Sequence, residues 1–215
     1  MFRVDLHTHS SASPDGGISE AQYRKALDSG LLDCVAVTDH NRIDFAMELQ
    51  QSLGERIIVG EEIMSDAGEI IGLFLTEVVE PGLSPLDTIA AIRNQGGLVY
   101  IPHPFETIRK GLHPAVLEEL SDTIDMIEIC NGRAFAQNRS EQAVVWAKLN
   151  HVIGMASSDA HGYHGLGRTY TQLSQLPTRD NLLQLSMSGI PRTERPGIRA
   201  LLYPKYHRLK RKLRK

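Results

Sequence analysis

FRVDLHTHSSASPDGG, residues 2–17, is a strand-like run from Arg3 to Thr8 that breaks into serine, proline and glycine, the residues of turns. Within it His7 and His9 stand one residue apart. On a strand, residues i and i+2 project from one side, roughly 6–7 Å apart, so both imidazoles face one cavity. A plain edge strand leading into a turn has no use for such a pair. The rest of the chain has to supply its partners.

Working outward, short apolar runs alternate with amphipathic stretches. Strands are predicted at Arg3–Thr8, Cys34–Thr38, Arg56–Gly60, Glu69–Leu75, Gly97–Ile101, Thr123–Cys130 and His151–Ser157. Helices are predicted at Glu20–Ser29, Phe45–Leu53, Pro85–Asn94, Pro114–Leu120 and Phe135–Leu149. Strand and helix in alternation imply parallel βα units. Six or seven such units within residues 1–190 suit a small or irregular barrel better than an eight-unit one, with an open doubly wound sheet as the competing topology.

The ends of these strands are chemically biased. His7 and His9 end the first, Asp39 and His40 follow CVAVT, and Glu61 and Glu62 follow RIIVG. His103 follows LVYI, and Asp159 and His161 follow VIGMASS. In a parallel barrel or open α/β sheet these ends open onto one face, where ligands and catalytic groups gather. Imidazole with carboxylate suits Zn²⁺, Mn²⁺ or Fe²⁺, and without a thiolate cluster a structural zinc site is disfavoured. Carboxylates can also bridge two ions, the arrangement that clamps a phosphoryl displacement.

Composition agrees with a single globular domain or a domain with an appendage: 215 residues, 41% hydrophobic and 23% charged. No run is apolar and long enough to span a membrane, and a strand pattern starting at Phe2 leaves no room for a signal peptide. Cys34 and Cys130 both lie in apolar runs, so a disulfide framework is not expected and a reducing cytoplasm is the default. From Pro191 onward ten Lys or Arg stand against Glu194 alone. That tail carries +9 of a chain whose net charge is −3, leaving residues 1–190 at −12. The expected division is therefore a domain over 1–190 and a basic tail over 191–215. In KYHRLKRKLRK, Tyr206, Leu209 and Leu213 share a helical side among cations. The segment suits nucleic acid, an anionic membrane or an acidic partner, and equally a solvated terminus.

DLHTHSSASPDGG, AVTDHN, VGEEI, IPHP, IEICNGR and SSDAH, in this order and within residues 2–168, resemble the PHP family, the polymerase and histidinol phosphatase domain of metal-dependent phosphoesterases. The resemblance implies a distorted (β/α)₇ barrel with up to three divalent ions at the C-terminal ends of its strands, Mn²⁺ or Zn²⁺ with Fe²⁺ as an alternative. It implies His7, His9 and Asp159 as ligands of a first ion, Glu62 (rather than Glu61) as a bridge, and His103 at a second. Asp15, His40 and His161 would hold a third. Many relatives carry histidine in an H-x-x-G strand as a further second-ion ligand; here EIIG puts Glu69 there, giving a harder and more negative site. Asp15 has a rival reading as a turn former in SPDGG, and Glu69 as a charge at a strand edge.

A phosphoesterase also needs groups to receive phosphate. Arg133 in NGR and Arg168 in GLGR follow candidate ligand strands, and a guanidinium fork matches phosphate oxygens, although each also reads as a surface arginine. Asn131 contacts substrate or caps its strand, and His164 lies on the glycine-rich loop HGYHGLG. His161, His164 and metal-bound water are all candidates for the general acid. The expected activity is hydrolysis of a small phosphomonoester, a nucleotide or an oligonucleotide end by metal-activated hydroxide, with Arg133 and Arg168 stabilising the added charge. The rivals are a metal-dependent amidohydrolase and a non-catalytic, metal-stabilised binding module. The residues name no protein partner.

Overall fold

The computed structural model describes residues 1–134, 138–194 and 196–213. In chain order the elements are β1 (Phe2–Asp5), α1 (Glu20–Asp28), β2 (Cys34–His40), α2 (Asp44–Leu53), β3 (Ile57–Ser65), β4 (Gly68–Leu73), α3 (Pro85–Asn94), β5 (Leu98–Ile101) and α4 (Pro114–Glu119). They continue with β6 (Met126–Asn131), α5 (Ser140–Leu149), β7 (Ile153–Ser157), β8 (Thr169–Leu173), α6 (Leu182–Ser186), β9 (Ile190–Thr193) and α7 (Ile198–Lys212). Local chemistry starts the helices. Before α3, Ser84 Oγ accepts from Asp87 N–H at 3.2 Å with Pro85 at the first helical position. At α1, Gln22 Oε1 reaches back to Ser19 N–H at 3.0 Å. The helix expected from Phe135 is seen from Ser140; Phe135 itself lies outside the described residues, as do Arg195, Arg214 and Lys215 of the tail.

Among the described residues nine strands form one sheet in the order β7-β6-β5-β4-β3-β2-β1-β8-β9. Its edges curl towards each other: Ala156 N–H of β7 donates to Thr171 Oγ1 of β8 at 2.8 Å, and Thr8 bridges to Ala160 beyond β7. The result is a nearly closed, distorted barrel. Alternation sorts the strand residues into two layers. Val4, Cys34, Ala36, Ile58, Ile71, Leu73, Tyr100, Met126 and Met155 fill the interior. Val35, Val37, Ile57, Val59, Ile63, Ile70, Val99, Ile101 and Ile127 face outward onto Ala46 and Leu49 of α2, Ile89 and Ile92 of α3, Leu117 of α4 and Trp146 of α5. Both cysteines are free, and burial pushes the Cys34 thiol up to about 12.

Three features depart from the expected parallel units. First, β4 runs antiparallel to both β3 and β5, forming a hairpin with β3 in which Glu62 pairs with Ile71 and Met64 with Glu69. Its start, rather than its end, therefore lies at the barrel mouth. Second, β8 and β9 add an antiparallel flank to β1. Third, the division expected at residue 190 falls inside β9, which pairs with β8, and α7 returns to the barrel. Among the described residues no helix is long and apolar enough to cross a membrane.

Candidate metal centre

The interior files of the strands change from apolar to ligating as they reach the mouth. On β2 the file runs Cys34, Ala36, Thr38, His40; on β3 it runs Ile58, Gly60, Glu62. Period-two alternation thus sends Glu62 inward and Glu61 outward, where Glu61 Oε2 accepts from Val79 N–H at 2.9 Å. Because β4 is reversed, Glu69 at its start lies beside the end of β3. His7 and His9 follow β1, with His9 N–H donating to Ala160 O at 2.8 Å and Thr38 N–H to Thr8 O at 2.9 Å. Asp39 fixes the next residue, accepting from Ser10 N–H at 2.6 Å and Ser10 Oγ–H at 2.5 Å. Asp5 supports the neighbouring loop, accepting from Ser158 N–H at 3.0 Å.

These files converge. His7 Nε2 lies 3.1 Å from His9 Nε2, 3.4 Å from Glu62 Oε2 and 3.6 Å from Asp159 Oδ1. His9 Nε2 is 3.2 Å from Glu62 Oε2 and 3.5 Å from Asp159 Oδ1. His103 Nε2 is 3.0 Å from Glu62 Oε1 and 3.5 Å from Glu69 Oε2. His40 reaches both sides, with Nδ1 3.2 Å from Glu62 Oε2 and Nε2 3.6 Å from Asp15 Oδ1. His161 Nε2 is 3.4 Å from the same Asp15 oxygen. The turn of SPDGG therefore carries Asp15 across the mouth to His40 and His161. His9, Asp15, His40 and His161 form one group, His7, His9 and Asp159 another, and Glu62 joins His7 with His103 and His40 with Glu69; within each group the donor atoms lie within 4.8 Å of one another.

The donors fit divalent ions. Ligands held about 2.0–2.2 Å from a tetrahedral ion stand roughly 3.4 Å apart, the separation seen around His7, His9, Glu62 and Asp159. His7 Nδ1 lies 3.2 Å from Glu128 Oε1, which fixes the tautomer and leaves Nε2 to bind, the carboxylate–histidine arrangement of metal sites. Among the described residues His103 Nδ1 and His9 Nδ1 have no hydrogen-bond partner although both rings are buried. Two of the residues also sit in left-handed backbone, His103 at φ 29° and Asp159 at φ 51°. For non-glycine residues this costs about 1–3 kcal/mol each, strain typical of functional positions.

Electrostatics point the same way. Burial acts to raise the carboxyls of Asp15, Glu62 and Asp159, but hydrogen bonds from imidazoles together with positive neighbours outweigh it. His161 and His40 hold Asp15, His7 and His40 hold Glu62, and Arg133 and His7 hold Asp159, all well below the usual carboxylate range. Glu69 has less support: burial, reinforced by Glu62, pushes it up to about 7. Burial together with His9 and Arg133 pushes His161 down to about 3, keeping its imidazole neutral and able to ligate. A pocket this rich in carboxylates suits divalent cations.

Of the residues expected to meet substrate, Arg133 is at the cluster, its Nη1 donating to Asp159 Oδ1 at 3.2 Å and lying 3.3 Å from His161 Nδ1. Arg168 is not brought there. Its guanidinium pairs with Glu194 at 2.8 Å on the surface, since the two flank the β8–β9 ladder. Asn131 is spent within the protein: Oδ1 accepts from Arg109 at 2.7 Å and from Arg133 N–H at 2.8 Å, and Nδ2 donates to Glu128 at 2.7 Å. His164 is exposed and stacks on Tyr203 of α7.

Three residues at the site are absent from the sequence expectations. Arg109, nearly buried, contacts Asp159 Oδ2, Asn131 and Glu106, so it fills one oxygen of Asp159 and leaves Oδ1 towards the imidazoles. Glu128 accepts from His103 N–H at 2.6 Å besides holding His7. Its signal was available, because Met126 and Glu128 alternate on the inward face of β6. Arg208 of α7 donates to Asp15 Oδ2 at 2.5 Å. Removing an outer carboxylate of this kind weakens a metal site about 10–100-fold. Glu128→Gln should therefore lower metal affinity by that factor, measured by competition with a chromogenic chelator, and unchanged affinity would refute the assignment.

No protein-family model matches the chain. It is 36% identical to the uncharacterized protein MJ1587 of Methanocaldococcus jannaschii over 143 residues, 60% of this chain and 82% of that protein. To the uncharacterized protein MJ0417 of the same organism it is 31% identical over 187 residues, 81% of this chain and 72% of that protein. Solved structures share the fold at low identity. A two-domain protein of Bacteroides vulgatus containing a predicted PHP-like metal-dependent phosphoesterase superposes with a TM-score of 0.73 at 18% identity, covering 96% of this chain and 69% of that one. An amidohydrolase of Chromobacterium violaceum gives 0.63 at 15% identity, covering 87% and 97%. The lesion-specific endonuclease of Pyrococcus furiosus gives 0.61 at 16% identity, covering 89% and 57%.

Proposed function

The chain belongs to one family with the two Methanocaldococcus proteins, and from that premise and its converging donors we propose that it is a PHP-type, metal-dependent phosphoesterase. The observation that carries this reading is the convergence of His7, His9, Glu62, His103, Asp159, His40, His161, Asp15 and Glu69 at one barrel mouth with a guanidinium beside them. Three divalent ions are assigned to these donors, Mn²⁺ or Zn²⁺, with Fe²⁺ as an alternative. When bound, they supply Lewis acidity and acidify water enough for attack near neutral pH.

The chain's own residues bind and orient. Arg133, part-exposed at the mouth, receives phosphate oxygens with its planar fork. Arg109 and Asn131 hold Asp159, and Glu128 holds His7, so the donors are positioned before substrate arrives. The almost complete burial of the ligands keeps bulk water from screening the charges that meet the phosphate. An amide substrate has less need of the guanidinium at the mouth, which favours the phosphoesterase over the amidohydrolase reading.

The test is a screen of phosphomonoesters, phosphodiesters and short oligonucleotides after metal reconstitution, with His9→Ala as the blank. Wild type indistinguishable from blank on every substrate defeats the proposal. Within an active preparation, Arg133→Ala should lower kcat/KM about 10²-fold, the loss expected when a preorganised donor is withdrawn from developing charge. Arg168→Ala should change it less than threefold, and the reverse ranking would return the phosphate role to Arg168.

A further inference from the structure

The basic C-terminal segment reads as a solvated appendage in sequence, but α7 lies over the barrel mouth. Its inward positions Ala200, Tyr203, Pro204 and His207 follow helical spacing, with Arg208 one residue beyond them. Tyr203 stacks on His164 with ring centroids 6.3 Å apart, and His207 stacks on Tyr203 at 5.5 Å. The approach leaves no room for a side chain beneath it unless the rings shift. A Cβ on Gly162 would come within 2.5 Å of the Tyr203 ring, and one on Gly17 within 2.1 Å of the His207 ring. Both glycines sit beside candidate ligands, Gly162 after His161 and Gly17 two residues past Asp15.

This packing delivers Arg208 to the site. Asp15 divides its oxygens: Oδ1 faces His40 and His161 at 3.6 and 3.4 Å, whereas Oδ2 accepts from Arg208 Nη2 at 2.5 Å. Arg133 stands on the other side of His161, 3.3 Å from Nδ1. Two guanidinia thus flank the His161–Asp15 edge of the cluster. Arg208 remains 64% exposed and Arg133 20%, so both can be reached from solvent, whereas Asp15 and His161 are at most 3% exposed.

We propose that Arg208 is a substrate-binding residue, the second arginine of a clamp that receives a terminal phosphate between α7 and Arg133 and so selects phosphomonoesters over diesters. The chemistry follows from charge and room. A monoester offers up to two negative charges and three terminal oxygens, enough for two guanidinium contacts together with the metal donors. An internal diester has one charge and two free oxygens, and must pass a second chain beneath α7. This inference rests on the phosphoesterase reading and deepens it by naming the substrate class.

The experiment uses full-length, metal-loaded protein and inorganic phosphate as the probe. Arg208→Ala should weaken phosphate binding about tenfold by calorimetry, about 1.4 kcal/mol, as expected for loss of a charged hydrogen bond. Arg208→Lys should recover part of that loss. The ratio of kcat/KM for a phosphomonoester to that for a diester should fall by a similar factor, chiefly through KM of the monoester. Tyr203→Ala, which leaves Asp15 and Arg208 intact but loosens the stack, should lower the same ratio. Metal content and melting temperature of Arg208→Ala should match wild type. Phosphate affinity and selectivity within twofold of wild type overturn the clamp while leaving the phosphoesterase standing. Loss of a bound ion in Arg208→Ala also overturns it, because Arg208 would then only hold Asp15. A wild type that neither binds phosphate nor cleaves phosphate esters overturns both readings.

Discussion

On the phosphoesterase reading, Glu62→Gln should lower kcat/KM by about 10³-fold or more and strip bound metal, the largest effect expected of any single substitution. Glu62 is the hub of the cluster: Oε2 lies 3.2–3.4 Å from nitrogens of His7, His9 and His40, and Oε1 lies 3.0 Å from His103. Glutamine keeps the shape but loses the charge, and an amide has a single oxygen to offer. It cannot bridge two cations, and its NH₂ would face imidazole nitrogens. Lewis-acid stabilisation is worth several kcal/mol, and each 1.4 kcal/mol is about tenfold in rate. Elemental analysis beside kinetics checks the result. Metal content and kcat/KM both within threefold of wild type would dispose of a bridging role.

Stripping the protein of metal should lower its melting temperature by about 10 °C, and returning Mn²⁺ or Zn²⁺ should restore it. Asp15, Glu62, Glu69 and Asp159 are each at most 6% exposed and meet at one mouth. A ligand present at a thousand times its dissociation constant stabilises by about 4 kcal/mol, and one kcal/mol shifts a domain of this size by about 2–4 °C. The imidazoles and Arg109, Arg133 and Arg208 neutralise part of the carboxylate charge, but Glu69 is left with a carboxyl raised to about 7. A melting curve unmoved by chelation and by metal addition would be incompatible with a polynuclear site.

Much of this architecture is legible in sequence. The seven strands expected up to residue 157 are all present, and the donors at their ends converge as the alternation of strands and helices implied. What the pattern could not express is direction. Alternation tells which residues share a face of β4, but a strand read backwards has the same alternation, so the reversal that takes Glu69 to the mouth is invisible. TYTQL of β8 alternates properly, but its inward threonines lack the apolar signal, and β9 is exposed throughout. The tail misled through its charge, which hid the inward spacing of Ala200, Tyr203, Pro204 and His207. Choosing arginines by nearness to motifs found Arg133 but preferred Arg168 to Arg109. Position in a loop says nothing of where a long side chain turns.

The β3–β4 hairpin makes strand register a chemical variable. Ser65 pairs with Gly68 across a two-residue loop, Asp66–Ala67, and Ser65 Oγ–H ties the turn to Gly68 O at 2.5 Å. In sheets a slip of one residue turns every side chain to the opposite face. One residue more in this loop would present Ile70 to the donor cluster and turn Glu69 out towards the helices. The carboxylate-rich character of the His40–Glu62–Glu69 group is thus written partly in a turn that carries none of its donors, and a change of metal preference in a relative can begin there with every donor residue still in the sequence.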